Sequence, residues 1–296
     1  GSFRDPSGHV FYQEGKIFRT IDESYAKHYE FFQSCGLYEE LVNKNMIVPH
    51  KEVSKINGTY KVIQPKLIKI IRYPYEWSFE QLKDVALRLL EIQNIAISFG
   101  MTLKDATPFN FQFVSNNPIL IDTLSFEEYT EGQLWRPYQQ FCESILSPLL
   151  LAKHVDPKLL SITRVFKDGI PLATTSKLLP FKTKFMLSTA LNIHAHAKSQ
   201  KKYSKKGIKV EKKLSKNSLL GVIKNLESLV KNLSIPNQKT TWSDYYEETN
   251  YTDSSFQQKQ SIVRKYIDEI KPNVVLDLGS NTGIFAKIAY EFTEHV

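Results

Sequence analysis

Cysteine is almost missing: Cys35 and Cys142 are the whole complement, far apart and with no CxxC pair. That excludes a disulfide framework and a cysteine-built zinc site, and points to a reducing, cytoplasmic setting. Long apolar runs are also missing. The richest stretch, Ser144 to Ala152, falls well short of the roughly eighteen residues a membrane span needs, and the basic, apolar and small-residue blocks of a signal peptide are not found near the start. A soluble protein with no membrane contact is therefore expected. Gly1-Ser2 has the look of a cleaved tag, so the domains are counted from Phe3. What is present is the composition of a folded chain, 42% apolar and 24% charged over 296 residues, enough for about two domains.

The net charge is +8, and its location matters more than its size. Lys198 to Lys216 holds nine lysines against a single acid, Glu211, so this one segment carries the entire excess. A nucleic-acid groove would spread cations and interleaved aromatics over a folded face, whereas only Tyr203 interrupts these lysines. A solvated linker or the exposed side of a helix is the ordinary reading of such a run, with polyanion contact as the alternative. Nucleic acid is not an expected partner.

The pattern HVFYQEGKIFRTI reads as a hairpin around Glu14-Gly15. A helix is expected from Asp22 to Gly36 with Tyr25, Tyr29 and Phe32 on one face, then β-rich runs at Ile47–Val53 and Tyr60–Arg72. Ser78 opens the clearest helix, with Gln81 completing a capping box and Gly100 as its stop. FQFV and ILIDT flank Ser115-Asn116-Asn117-Pro118 and read as a second hairpin. From Trp135 to about His196 the periodicity is helical, and Ser218 to Leu233 is a further helix. Gln257 to Ile270 is helical, Asn273 to Leu278 a continuous apolar strand, and Ile284 to Phe292 a helix entered through GSNTG.

Two constellations carry chemistry. The loop LKDATPFN contains DxxPxN. With the hairpin turn centred on Asn116, Asn110 and Asp122 face each other at its open end, with Asp105 in the loop that feeds in. Two carboxylates and an amide oxygen suit Mg²⁺ held with phosphates, leaving one Asp to orient or deprotonate a hydroxyl. The bland alternative is an Asp and an Asn that only cap turns. The second constellation is VVLDLGSNTG, a strand running into a glycine turn, where glycine alone permits close approach of a nucleotide-type ligand; a dinucleotide fold or a plain βα turn are its alternatives.

The first set resembles the C-lobe of protein-kinase-like folds, most closely the aminoglycoside and choline phosphotransferase branch with its HGDxxPxN loop. The resemblance, over roughly residues 8 to 196, implies Asp105 at the catalytic base position, Asn110 and Asp122 at metal positions, YPYEW at an inter-lobe hinge, and ATP with Mg as possible cofactors. The chain departs from that pattern in three places: Leu103-Lys104 replace His-Gly, no GxGxxG occurs in the first hairpin, and Arg19 stands where a lysine belongs. A phosphate contact by Arg19, with Glu30 or Glu23 as its partner, is what the likeness implies.

The second set is similar to the first motif of class I S-adenosylmethionine-dependent methyltransferases, with Asp277 in the acidic position and Gly279 and Gly283 as the cofactor-approach glycines. Together with SFRDPSG, YPYEWSF, IDTLSFE and WSDYYEETNY, it looks like a bacterial subset with a long N-terminal extension that includes nodulation-protein-like members. What this implies is an α+β chain: a bilobal kinase-like fold (3–77 and 78–197), a basic helical linker (198–241), and the first βα unit of a truncated, Rossmann-like methyltransferase domain (242–296). Methyl transfer to an unknown small-molecule or glycan-like acceptor is the implied activity. A phosphotransferase and a non-catalytic pseudokinase are the competing readings. Only thirteen residues follow Gly283, so residues 257–296 are expected either to pack against the kinase-like body or to self-associate by pairing with another copy through the unpaired strand. The remaining attractive residues have plainer roles: on a helix His194 and His196 point apart, and Cys35 has no activating base beside it.

Overall fold

The computed structural model describes residues 6–53, 58–200, 214–235 and 252–296, in two compact units divided after Ile235. The architecture is mixed α+β.

In the first unit, β1 (Val10–Gln13) and β2 (Lys16–Ile21) form the expected hairpin, and Glu14 and Gly15 both take left-handed φ, as a two-residue turn between twisted strands requires. Two more strands, β3 (His50–Val53) and β4 (Lys61–Pro65), complete an antiparallel sheet in the order β1-β2-β4-β3. The run expected to Arg72 stops at Pro65, which has no N–H for further pairing. Helix α1 (Ala26–Ser34) follows a 3-10 turn and buries Tyr29 and Phe32, with Tyr25 just ahead of it. Gly36, with φ +86°, ends it, and α2 (Leu37–Asn43), which the sequence did not suggest, follows.

Residues 7–9 continue alongside β2, where the Thr20 N–H donates to the His9 carbonyl. Gly8 has φ +152°, and a Cβ there would lie 1.9 Å from the Thr20 carbonyl oxygen. Gly8→Ala is therefore expected to cost about 2 kcal/mol or more, since backbone must move, against about 1 kcal/mol for Gly15→Ala, which meets only open space. Equal urea midpoints for the two variants would contradict this.

Helix α3 (Phe79–Ser98) starts at Ser78, whose Oγ accepts from the Gln81 N–H while the Gln81 side chain accepts from the Ser78 N–H. Its apolar face buries Leu82, Val85, Leu89 and Ile92 in the main core. Beyond it lie β5 (Met101–Leu103) and the hairpin β6 (Phe111–Val114) and β7 (Asn117–Leu120), then β8 (Phe126–Glu128), which pairs with β5. Helices α4 (Tyr138–Phe141) and α5 (Ser147–His154) are joined through a π-helical stretch, Cys142–Leu146. Short helices α6 (Leu172–Leu178) and α7 (Leu187–Thr189) follow.

Within the helical linker expected over 198–241, the helix expected at Ser218 to Leu233 is present and belongs to the first unit. Helix α8 (Lys216–Lys231) buries Leu219, Ile223, Leu226, Leu229 and Val230 in the same core as α3, and Lys83 and Lys153 donate to the carbonyls of Leu233 and Asn232 at its C-terminal end. The lysine-rich residues 201–213 and the aromatic lead-in at 242–251 lie outside the described residues.

In the second unit, α9 (Asp253–Ile270) is capped by Thr252 and packs against α10 (Ile284–Tyr290), with the Phe256 and Phe285 rings edge to face and Arg264 paired to Glu291. The strand expected at Asn273 to Leu278 is not formed: this stretch has no regular secondary structure, Val275 N–H donates to the His295 carbonyl, and Leu276 and Leu278 are exposed. A strand needs a hydrogen-bonded neighbour, and no strand is present among the described residues of this unit. Among the described residues no helix is long and apolar enough to cross a membrane.

Candidate functional site

The loop after β5 is built by local capping. Asp105 Oδ1 accepts from the Thr107 N–H (3.2 Å), and the Thr107 hydroxyl accepts from the Phe109 N–H to cap the 3-10 turn Pro108–Asn110. Gln140 on α4 anchors the loop by accepting from the Ala106 N–H at 2.7 Å, and Lys104 N–H donates to the Ser125 carbonyl. These bonds hold Asp105 and Asn110 face to face, with Asn110 Nδ2 donating to Asp105 Oδ2 at 3.2 Å and to Ser125 Oγ at 3.3 Å.

The β6–β7 register differs by one residue from the expected one. Ser115 and Asn116 are the two left-handed turn residues, Val114 pairs with Asn117, and Asn110 lies opposite Ile121, whose N–H donates to the Asn110 carbonyl. Asp122 is one position further on, and a single-residue offset reverses the face a side chain takes. Its carboxylate accordingly accepts from the Leu124 N–H and from Arg19 Nη1 on β2. Asn110 and Asp122 are thus joined through Ser125, whose N–H donates to the Asp122 carbonyl, and no direct hydrogen bond links their side chains.

The Arg19–Asp122 ion pair ties the four-stranded sheet to the segment between β7 and β8, which Ser125 links in turn to Asn110. Arg19 is 6% exposed, so the pair is largely withdrawn from water. Of the two partners expected for Arg19, Glu30 is bound to Tyr60 and Lys61 instead, and the hydrogen bond from Tyr60, followed by that from Lys61, holds its carboxyl below the usual range. Lys104 completes the cluster, donating to Ser7 Oγ at 2.7 Å with its ammonium over the Tyr25 ring. Ser125, Ser7 and Gln140 were not suggested as site residues, since nothing in a lone hydroxyl or amide marks a partner fifteen to a hundred residues away.

A second polar network braces the sheet behind this cluster. The Tyr29 hydroxyl donates to Glu52, lies 3.1 Å from His50 Nε2, and has its pKa raised by burial and by Glu52. Burial pushes His50 down to about 4 against the pull of Glu52, so the imidazole is neutral. Among the described residues no group of three or more His, Cys, Asp or Glu side chains is close enough to hold a metal.

In the YPYEW segment the Tyr73 and Tyr75 rings stack at 5.3 Å, and Gln112 clasps the backbone of Arg72 through both its amide atoms. In the second unit, Asp277 precedes a turn in which Gly279, Asn281 and Gly283 have φ of +73°, +51° and +75°. A Cβ on either glycine would meet nothing within 4 Å, so both are required by conformation and leave room at the turn.

No family model matches the chain. It is 34% identical over 303 aligned positions to the nodulation protein NoeA of Rhizobium meliloti (strain 1021), an alignment that takes in 98% of this chain and 63% of that protein. The chain therefore spans somewhat under two thirds of the length of the curated relative that it resembles.

Proposed function

We propose that the chain is part of an S-adenosylmethionine-dependent methyltransferase whose first unit, similar in arrangement to a protein-kinase-like fold, binds a nucleotide or the methyl acceptor. The observation that carries this reading is the turn at 279–283, where two left-handed glycines leave open space directly after Asp277. The residues fit the group: Gly279 and Gly283 admit a ligand against the backbone, and the Asp277 carboxylate is an acceptor for its donor groups. When bound, the cofactor supplies an electrophilic methyl on a sulfonium. The role of the chain is to hold it and to present an acceptor.

The test is a thermal shift on the whole protein. S-adenosylmethionine at about a hundred times its Kd should stabilise by about 2.7 kcal/mol, and Gly279→Val should remove the effect because the side chain fills the approach and cannot adopt this φ comfortably. A whole protein that ignores S-adenosylmethionine, or a Gly279→Val variant that responds like the parent, overturns the reading.

A second reading rests on the first unit. The Asp105–Asn110–Ser125 network beside Asp122 has the oxygen donors of a Mg–nucleotide site, which supports a small-molecule phosphotransferase. The guanidinium already on Asp122 favours binding without turnover, the pseudokinase alternative, because a metal must compete with Arg19 for that carboxylate. ATP with Mg²⁺ should raise the melting temperature in a manner abolished by Asp122→Asn; Asp105→Asn should leave that shift in place and remove turnover alone if the site transfers phosphate.

A further inference from the structure

Residues 177–191 put apolar side chains where apolar side chains are costly. Phe181 is 67% exposed, Phe185 77% and Leu187 73%. They are not on a loose loop. Leu179, Thr183 and Thr189 from the same stretch are buried, and the Thr183 hydroxyl donates to the Pro180 carbonyl while lying 2.9 Å from His194 Nε2. With its one proton given to Pro180, Thr183 accepts from His194, whose Nδ1 accepts from Ser176 at 2.7 Å. The platform is therefore a bonded one, and the Phe181 and Phe185 rings meet edge to face at 5.4 Å upon it.

The same surface is cationic. Lys177, Lys182 and Lys184 are exposed between the apolar groups, with Lys184 Nζ 4.7 Å from the centre of the Phe181 ring. Among the described residues none of the three has a carboxylate partner, and no Asp or Glu occurs from residue 169 to residue 210. The neighbouring histidines register the field: burial first, then Lys153 and Lys182, lower the pKa of His154, and burial, then Lys184 and Lys198, lower that of His194.

We propose that this face docks the protein onto an anionic lipid bilayer surface, with Phe181, Phe185 and Leu187 entering the interfacial region and Lys177, Lys182 and Lys184 contacting phosphate-bearing headgroups. Protruding apolar side chains ringed by lysines have the two parts interfacial binding needs, apolar area and positive charge. A nucleic-acid groove fits less well, because the two rings contact each other edge to face and Leu187 has no role in base stacking. That no helix among the described residues is long and apolar enough to span a membrane does not bear on attachment of this kind.

The experiment is vesicle co-sedimentation of the full chain, with phosphatidylcholine vesicles alone and with phosphatidylglycerol added, and with a short RNA duplex as the competing polyanion. Binding is expected only with the anionic lipid and should weaken as salt is raised. Lys182→Gln with Lys184→Gln should lower the partition coefficient about twenty-five-fold, about five-fold for each charge. Phe181→Ser with Phe185→Ser should lower it by about ten-fold or more while leaving the charge and, because both rings are exposed, the melting temperature unchanged. Partitioning that is equal on neutral vesicles, a serine variant that binds like the parent, or RNA that displaces the protein fully would each overturn the proposal, the last in favour of a general polyanion surface.

Discussion

Replacing Asp122 with alanine is expected to destabilise the first unit by about 1.5–3 kcal/mol, the loss of a charge-assisted hydrogen bond to the largely buried Arg19. Arg19 is held within the sheet between Val10 and Ile63 in the strand ladder, so its guanidinium has little freedom to reach water once the carboxylate is gone. Arg19→Met alone should cost less, because the more accessible Asp122 keeps the Leu124 N–H and gains solvent. Combining Arg19→Met with Asp122→Ala should cost less than the sum of the two single losses, since both substitutions remove the same interaction. Urea denaturation of the four proteins gives the coupling directly. Additive effects would mean that the two side chains act independently, and would remove the sheet-to-loop tie from the account of this site.

Leu226→Ala should cost about 3 kcal/mol, although the residue lies in a stretch that sequence assigns to a linker. It is fully buried on α8, in the same core as Leu82 and Leu89 of α3, and a cavity there cannot fill with water favourably. Lys224→Ala, on the exposed side of the same helix, should change stability by no more than about 0.5 kcal/mol. If both substitutions are silent in urea denaturation, α8 is an appendage and the first unit ends before it.

Local features could be read without coordinates because their causes are local. Ser78 and Gln81 satisfy each other's backbone donors within four residues, and Gly36 and Gly100 mark helix ends through their own φ. The left-handed turn at Glu14-Gly15 was legible in the same way, and the second hairpin was expected around Ser115 to Pro118, of which Asn117 and Pro118 belong to β7. The hairpin register was not: moving the centre from Asn116 to between Ser115 and Asn116 is a matter of one peptide unit, and it decides which face Asp122 presents.

From the sequence alone came the helices with a strong apolar period, the first hairpin, the glycine turn after Asp277 and the candidate residues Arg19, Asp105, Asn110 and Asp122. Only the tertiary structure decided their pairing, Asp105 with Asn110 and Arg19 with Asp122, because the partners are brought together by the packing of the sheet against the loop across 103 residues of chain in the second case. It also decided that α8 belongs to a core and that Val274 to Leu278 is no strand where it stands. Helix capping and turn conformation are settled by a few neighbouring residues, whereas burial and strand pairing depend on which distant surface is available to cover an apolar face or accept a backbone hydrogen bond.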